Sequence, residues 1–219
     1  MEQIKIIDMP KLECLFKRKL MPNGDYLVIP EINPGYEWVF EDETVAAVEK
    51  LDGTNVSIII ENGNITSIFN RTERIPFINK GKKWISEGIL NSFERGYMDL
   101  LPDGQIFGEL IGPRVNGNPY KLKEHLWIPF NTYCREHLAY KSYHKYPKDF
   151  ENIEKWFLAD IKDGGIFSLL MRKRGIEQKP EGIVFHNIKT GQMAKLRIDM
   201  FHGFTGKKHR EKYIEINNS

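Results

Sequence analysis

Apolar residues recur along the chain with two different periods, and the changes of period mark its elements. The run Val45-Ala46-Ala47-Val48 stops at Glu49-Lys50 and gives way to Asp52-Gly53-Thr54-Asn55, so a strand is expected over about 45–50 with a turn behind it. Two β-branched runs, VSIII and ITSIF, flank Asn62-Gly63, a dipeptide suited to the positive φ angles of a tight hairpin turn. Over residues 82–100, Trp84, Ile85, Ile89, Phe93 and Tyr97 recur at helical spacing and predict an amphipathic helix. QIFGELIG (105–112) and HLWIPFNTY (125–133) read as strands. Residues 149–162 read as a helix carrying Ile153, Trp156 and Phe157, with a further helical stretch near 166–174. EGIVFHN and QMAKLRIDMF form a second hairpin around Lys189-Thr190-Gly191. Before residue 45, the density of Pro, Gly and charge favours short strands and loops. Strand pairs separated by helices, without βαβ alternation, predict an α+β fold with mainly antiparallel sheets.

Composition narrows the class. A chain of 219 residues with no repeat and no low-complexity linker is expected to form a single domain over 1–219 with a substantial core. The net charge of +2 excludes a global basic excess of the kind that by itself announces a nucleic-acid binder. Cationic residues are grouped instead, at Lys80-Gly81-Lys82-Lys83, Arg172-Lys173-Arg174 and Lys207-Lys208-His209-Arg210. Such runs are usually solvated faces; with aromatic neighbours they also suit a nucleic-acid backbone. Cys14 and Cys134 are far apart, and the six histidines show no repeated metal-ligand spacing, which reads as reduced thiols in an intracellular protein. No apolar stretch approaches membrane-spanning length, so a cytoplasmic location without a membrane partner is expected.

Lys50 is the first candidate for chemistry. A lysine nucleophile must be neutral to attack, and at an ordinary pKa near ~10.4 only a small fraction is neutral at pH 7. Burial and neighbouring cations favour the neutral form. Lys50 ends an apolar strand, and Lys195 and Arg197 share one face of another strand by its period of two. Gly53 removes a side chain where a base or ribose would approach the backbone. Alone, Lys50-Leu51-Asp52-Gly53 reads better as a surface turn than as a nucleophile motif, because Asp-Gly is a common turn dipeptide.

Other segments in fixed order change that weighting. Phe69-Asn70-Arg71-Thr72, Phe107-Gly108-Glu109-Leu110, Trp127-Ile128-Pro129-Phe130, Glu181-Gly182-Ile183-Val184 and Ala194-Lys195-Leu196-Arg197 follow the lysine segment. Together they resemble the covalent nucleotidyltransferases, the superfamily of ATP-dependent ligases and mRNA capping enzymes, over about residues 45–201. Asn55 stands where DNA ligases and capping enzymes usually carry an arginine. With Glu49-Lys50-x-x-Gly53-Thr54-Asn55 and GELIGPRVNG, the chain looks like the RNA ligase 2-like branch.

The resemblance implies a ligase/capping-enzyme nucleotidyltransferase fold and a three-step reaction. Lys50 attacks the α-phosphate of ATP, so that AMP becomes covalently attached to Lys50. AMP then passes to an RNA 5′-phosphate, and an RNA 3′-OH displaces it. Mg²⁺, or Mn²⁺, would accompany the phosphates, with Glu181 as a metal-linked carboxylate. Among the nucleotide ligands the resemblance places Glu49, Asn55, Arg71, Glu109 on the ribose, Phe130 stacked on adenine, Glu181, Lys195 and Arg197; Trp127 or Tyr133 are alternatives for the stacking role. Lys195 and Arg197 join Lys50 as catalytic residues, although Arg197 departs from the usual second lysine and stays protonated. Arg71, Lys82 and Lys83 are candidates for contact with RNA. Only residues 202–219 follow the last motif, so no separate C-terminal domain is expected. A chain of this kind either binds RNA weakly or relies on a partner protein for RNA-binding surface. A DNA nick or end ligase of the same fold and an inactive RNA-binding module are the alternatives.

Overall fold

A computed structural model describes residues 5–78, 80–130, 132–140 and 146–206. In chain order the elements are β1 (Phe16–Leu20), β2 (Tyr26–Ile32), α1 (Trp38–Glu41), β3 (Val45–Lys50), β4 (Thr54–Glu61), β5 (Asn64–Asn70) and β6 (Glu73–Ile75). There follow α2 (Lys83–Glu94), β7 (Gly104–Ile111), β8 (Leu126–Pro129), α3 (Thr132–His137), α4 (Phe150–Leu158), α5 (Leu169–Arg172), β9 (Gly182–Asn187) and β10 (Met193–Arg197). All pairings between these strands are antiparallel. The α+β reading with mainly antiparallel sheets therefore holds. The chain folds as two compact units, one from the residues up to Lys11 with Asp52–Glu136, the other from Leu12–Leu51 with the chain from His137 on.

The first unit is built on a five-stranded sheet in the order β6-β5-β4-β7-β8. Its register puts Val56, Ile58, Ile106, Leu110 and Trp127 on one face, where they pack with Ile85 and Ile89 of α2 into a buried core. The β4–β5 turn takes positive φ at Asn62 (52°) and Gly63 (72°), the geometry the dipeptide was expected to supply. Asp103 accepts hydrogen bonds from both turn amides, at 2.7 and 3.0 Å.

Helix α2 is shorter than the 82–100 predicted from spacing. Gly96 takes φ +71°, its N–H bonds Phe93 O and the Tyr97 N–H bonds Ser92 O, a pair of backward bonds that closes the helix at Glu94. Phe93, expected on the apolar face, is 61% exposed. The strand predicted over 125–133 also stops early. It ends at Pro129, beyond which the Phe130 N–H still bonds Phe107 O, and Tyr133 falls in α3, with its ring 4.2 Å from that of Tyr97.

The second unit holds a three-stranded sheet in the order β10-β9-β3 and the separate β1–β2 hairpin. Alternation along its strands turns Ala47, Ile183, Phe185, Ala194 and Leu196 into a core with Ile153 and Phe157 of α4. Neither outer strand of the sheet is bare. Residues 13–15 bond along β10 at Lys195, and residues 138–140 bond along β3 at Ala47 and Glu49. Among the described residues, no helix is long and apolar enough to cross a membrane.

Candidate active site

In the second unit, the three-stranded sheet gathers the predicted nucleophile and cations. Lys50 lies opposite Gly182 of β9, and Gly182 lies opposite Arg197 of β10; one step along, Val48, Val184 and Lys195 form the same kind of row. Directly opposed residues share a face, so Lys50, Lys195 and Arg197 project from the face away from the core. Each of the three is half-buried, whereas their neighbours Ala194 and Leu196 are fully buried. Gly182 is required at the centre of this row. A Cβ there would lie 2.1 Å from Leu196 O and 2.7 Å from Arg197 Cα.

Lys50 Nζ donates to Glu181 Oε2 at 2.6 Å, with the carboxylate only 7% exposed. Glu181 is held in turn by its own backbone, whose carbonyl accepts from Ile198 N at 3.0 Å. Arg197 is gripped as a fork: Nε reaches Asp199 Oδ1 at 3.0 Å and a terminal nitrogen reaches Oδ2 at 3.1 Å. Such a bidentate pair fixes the guanidinium plane and leaves its other edge to meet an anion.

Glu49, grouped with the nucleotide ligands from sequence, points the other way. The period of two turns its side chain into the core, where it is 2% exposed. Its carboxylate accepts from Ser168 Oγ and from Leu170 N (3.0 Å), at the start of α5. Burial pushes its pKa up to about 7, opposed by the Ser168 hydroxyl, the Leu170 and Leu169 amides and the Lys173 charge. The side chain thus ties β3 to α5 and does not share the face of Lys50.

In the first unit, Asn55 of β4 lies directly opposite Glu109 of β7, on the sheet face away from the α2 core. Both are half-buried. Asn55 Nδ2 contacts Met9 Sδ at 3.1 Å, while its Oδ1 is buried with no hydrogen-bond partner among the described residues. A buried amide oxygen without a partner carries a substantial desolvation cost, which an incoming donor or cation would relieve. Phe130 follows β8, half-buried, with its N–H on Phe107 O at 3.1 Å. Trp127 is fully buried and donates its indole N–H to Val56 O at 2.9 Å, which removes it from the stacking candidates.

The predicted RNA contacts lie elsewhere on that unit. Arg71 takes φ +56° in the β5–β6 turn, is 78% exposed and has Asp8 at 3.9 Å. Lys82 is bonded to both oxygens of Glu73 at 2.7 Å, and Lys83 opens α2 exposed. The run Lys207-Lys208-His209-Arg210 lies outside the described residues. Among the described residues, no three His, Cys, Asp or Glu side chains converge as a metal cage. Sequence reading missed two residues beside the Asp52-Gly53 turn, Asn116 and Tyr120, because their partners are some 65 positions away and no local pattern announces such a bond.

An arginine-to-alanine mutant of Naegleria gruberi RNA ligase with ATP and Mn superposes with a TM-score of 0.51 at 17% identity. Alignment covers 87% of this chain and 56% of that one. A glutamate-to-alanine mutant with AMP and Mn gives 0.49 at 16% identity, covering 87% and 56%. The same ligase with PPi gives 0.48 at 17%, covering 89% and 59%. The chain thus spans little more than half the length of these proteins. At such identities the first superposition speaks for the fold alone. Among curated proteins there is no match. The sequence model for RNA ligase matches residues 43–197, a stretch that holds Lys50, Glu109, Glu181, Lys195 and Arg197 and most of the chain, and the protein belongs to the RNA ligase family.

Proposed function

We propose that this chain is an ATP-dependent RNA ligase, its two compact units together forming one nucleotidyltransferase domain that acts in the cytoplasm. The observation that carries the reading is the second unit's sheet: a lysine paired to a carboxylate at 2.6 Å, with two further cations on the same face. Lys50 Nζ forms a bond to the α-phosphorus of ATP as the bond to pyrophosphate breaks. An ammonium cannot attack, so the pair with Glu181 must part and the amine must lose a proton first. Lys195 and the Asp199-held Arg197 face the charge that develops on the phosphate oxygens. AMP leaves Lys50 for an RNA 5′-phosphate, and an RNA 3′-OH then displaces it.

The first unit's residues take the remaining roles in this reading. Glu109 accepts from ribose hydroxyls, Phe130 stacks on adenine, Arg71 meets a phosphate of AMP or of RNA, and Lys82 and Lys83 meet the RNA backbone. The Asn55 oxygen, without a partner among the described residues, turns to the phosphates or to a cation's water. The donors fit a Mg²⁺ or Mn²⁺ ion carried in by the nucleotide: hard oxygens, Glu181 in particular, and no preformed cage of three such side chains among the described residues. That ion would neutralise phosphate charge. A partner protein adds RNA-binding surface in this scheme.

The test is incubation of purified protein with α-labelled ATP and Mg²⁺, with GTP and Lys50→Ala lanes beside it. A label from ATP alone, lost in the mutant, is expected. Absence of label from protein first stripped with pyrophosphate would favour an inactive RNA-binding module. Sealing a 3′-OH nick in RNA faster than the same nick in DNA then separates RNA ligase from DNA ligase.

A further inference from the structure

Within the first unit, residues 7–9 form a strap on the five-stranded sheet without joining it as a strand. The sheet face away from α2 carries Asn55 and Ser57 of β4 opposite Glu109 and Phe107 of β7, and Gln105 lies two residues before Phe107 on that face. Gln105 clamps the strap with both halves of its side-chain amide. Its Oε1 accepts from the Ile7 N–H at 3.0 Å, and its Nε2 donates to Ile7 O at 2.8 Å and to Ser57 Oγ at 2.9 Å. Two residues on, Met9 brings its sulfur to 3.1 Å from Asn55 Nδ2. An extended chain advances about 3.3 Å per residue, so the step from Ile7 to Met9 matches the step from Ser57 to Asn55. Between them, Asp8 Oδ2 lies 3.9 Å from a guanidinium nitrogen of Arg71. Arg71 comes one step after the Val56–Asn70 pair and Asn55 one step before it, so both stand at the same end of the sheet. Consecutive strap residues thus take up two side chains of this unit to which the reading above gives phosphate.

The grip is weak. Ile7 is 47% exposed, so the strap buries little apolar surface there. Asp8 and Arg71 are both exposed, and an ion pair of that kind contributes little. A thioether is a poor acceptor, and Asn55 Oδ1 stays buried with no partner among the described residues. The strap therefore covers the Asn55 amide without satisfying it. A nucleotide brings what the strap lacks: phosphate oxygens for the Asn55 amide hydrogens and the Arg71 fork, and water on a hydrated cation as a donor to Asn55 Oδ1.

We propose that residues 7–9 are an autoinhibitory strap: they compete with the incoming nucleotide for Asn55 and Arg71, and the nucleotide binds by displacing them. The inference rests on the ligase reading above, which gives those two side chains to the nucleotide. A site that is open only part of the time has its affinity lowered by the open fraction, so loosening the strap tightens binding. A strap that formed one wall of the site would act with the opposite sign.

The experiment has two arms on the full chain, stripped of AMP with pyrophosphate. The first is calorimetric titration with α,β-methylene-ATP and Mg²⁺, an analogue whose methylene bridge blocks departure of the leaving group. Gln105→Leu keeps most of the bulk and loses the clamp, and should bind about three- to tenfold more tightly than wild type. Met9→Ala and Asp8→Asn should each tighten binding by about two- to fivefold. Both change the strap rather than the sheet, so they stay informative if Gln105→Leu does not fold. Equal or weaker binding across the folded variants overturns the proposal.

The second arm is amide hydrogen exchange of the peptide spanning residues 5–11, which holds the Ile7 N–H bonded to Gln105. Saturating analogue should speed exchange there by about tenfold in wild type and leave the already fast Gln105→Leu unchanged. Exchange that slows or stays constant in wild type means that the strap keeps its place over bound nucleotide, and overturns the proposal. Wild type that takes label from α-labelled ATP while the strap variants bind no better sinks the strap alone. Wild type that takes no label and binds no analogue sinks the ligase reading, and the strap with it.

Discussion

Lys50 Nζ and Glu181 Oε2 are 2.6 Å apart, and this contact joins residues 131 positions apart in sequence. Lys50→Ala should remove the covalent adduct altogether while the melting temperature changes by only a few degrees. Glu181→Gln keeps the shape and removes the charge, and should slow charging on the order of a hundredfold. Denaturing gels of labelled protein check both; a labelled Lys50→Ala chain would put the nucleophile elsewhere.

Arg197 carries its charge on a planar fork held by Asp199. Replacement by lysine keeps the charge and loses the plane. Arg197→Lys should therefore charge roughly tenfold more slowly than wild type, and Arg197→Ala roughly a hundredfold more slowly. If the lysine variant charges as fast as wild type, the fork is not used in the reaction.

Glu49 makes the protein's stability depend on pH. Its carboxyl titrates from the ordinary value of 4.5 when unfolded and from about 7 in the folded chain. Between those values the native state holds a proton that the unfolded state has lost, so stability from this group is full below about pH 4.5 and declines as pH rises to 7. The whole shift corresponds to about 3 kcal/mol as an upper bound. Glu49→Gln cannot ionise and can still bond Ser168 and the Leu170 amide. It should be more stable than wild type by about 1–3 kcal/mol at pH 8, with the advantage fading towards pH 5. Urea unfolding at both pH values decides the matter, since parallel profiles would mean that Glu49 titrates normally.

Gly182 stands between Lys50 and Arg197 with no room for a methyl group. Gly182→Ala should force β10 away from β9, at roughly 1–3 kcal/mol. The melting temperature should fall by roughly 3–10 °C. Adduct formation should fall as well, because Arg197 moves with its strand. Wild-type melting and charging together would show that the sheet absorbs the methyl group.

Much of this architecture was legible because local rules governed it. The Asn62-Gly63 hairpin, the strand ending at Lys50 and the 182–197 hairpin follow from alternation and turn chemistry. The opposed directions of Glu49 and Lys50 were legible too, since neighbours on a strand face opposite sides; family resemblance obscured what the period implied. Helix α2 ends short of the stripe that Tyr97 extends, because Gly96 terminates it in left-handed backbone. The bonds from Asn116 and Tyr120 to the Asp52-Gly53 turn were out of reach, for no periodicity links a loop to a turn more than sixty residues before it.

The strips of chain at residues 13–15 and 138–140 have a consequence for recognition. They occupy the outward backbone amides and carbonyls at Lys195 and at Ala47 and Glu49, so along those stretches the Lys50 sheet offers no template on which a foreign strand can zip up. A peptide partner is thereby denied strand addition at those positions, and aggregation by edge pairing is blocked there as well. What the sheet presents to other molecules is a surface of side chains, and a ligand must be read by its charge and shape.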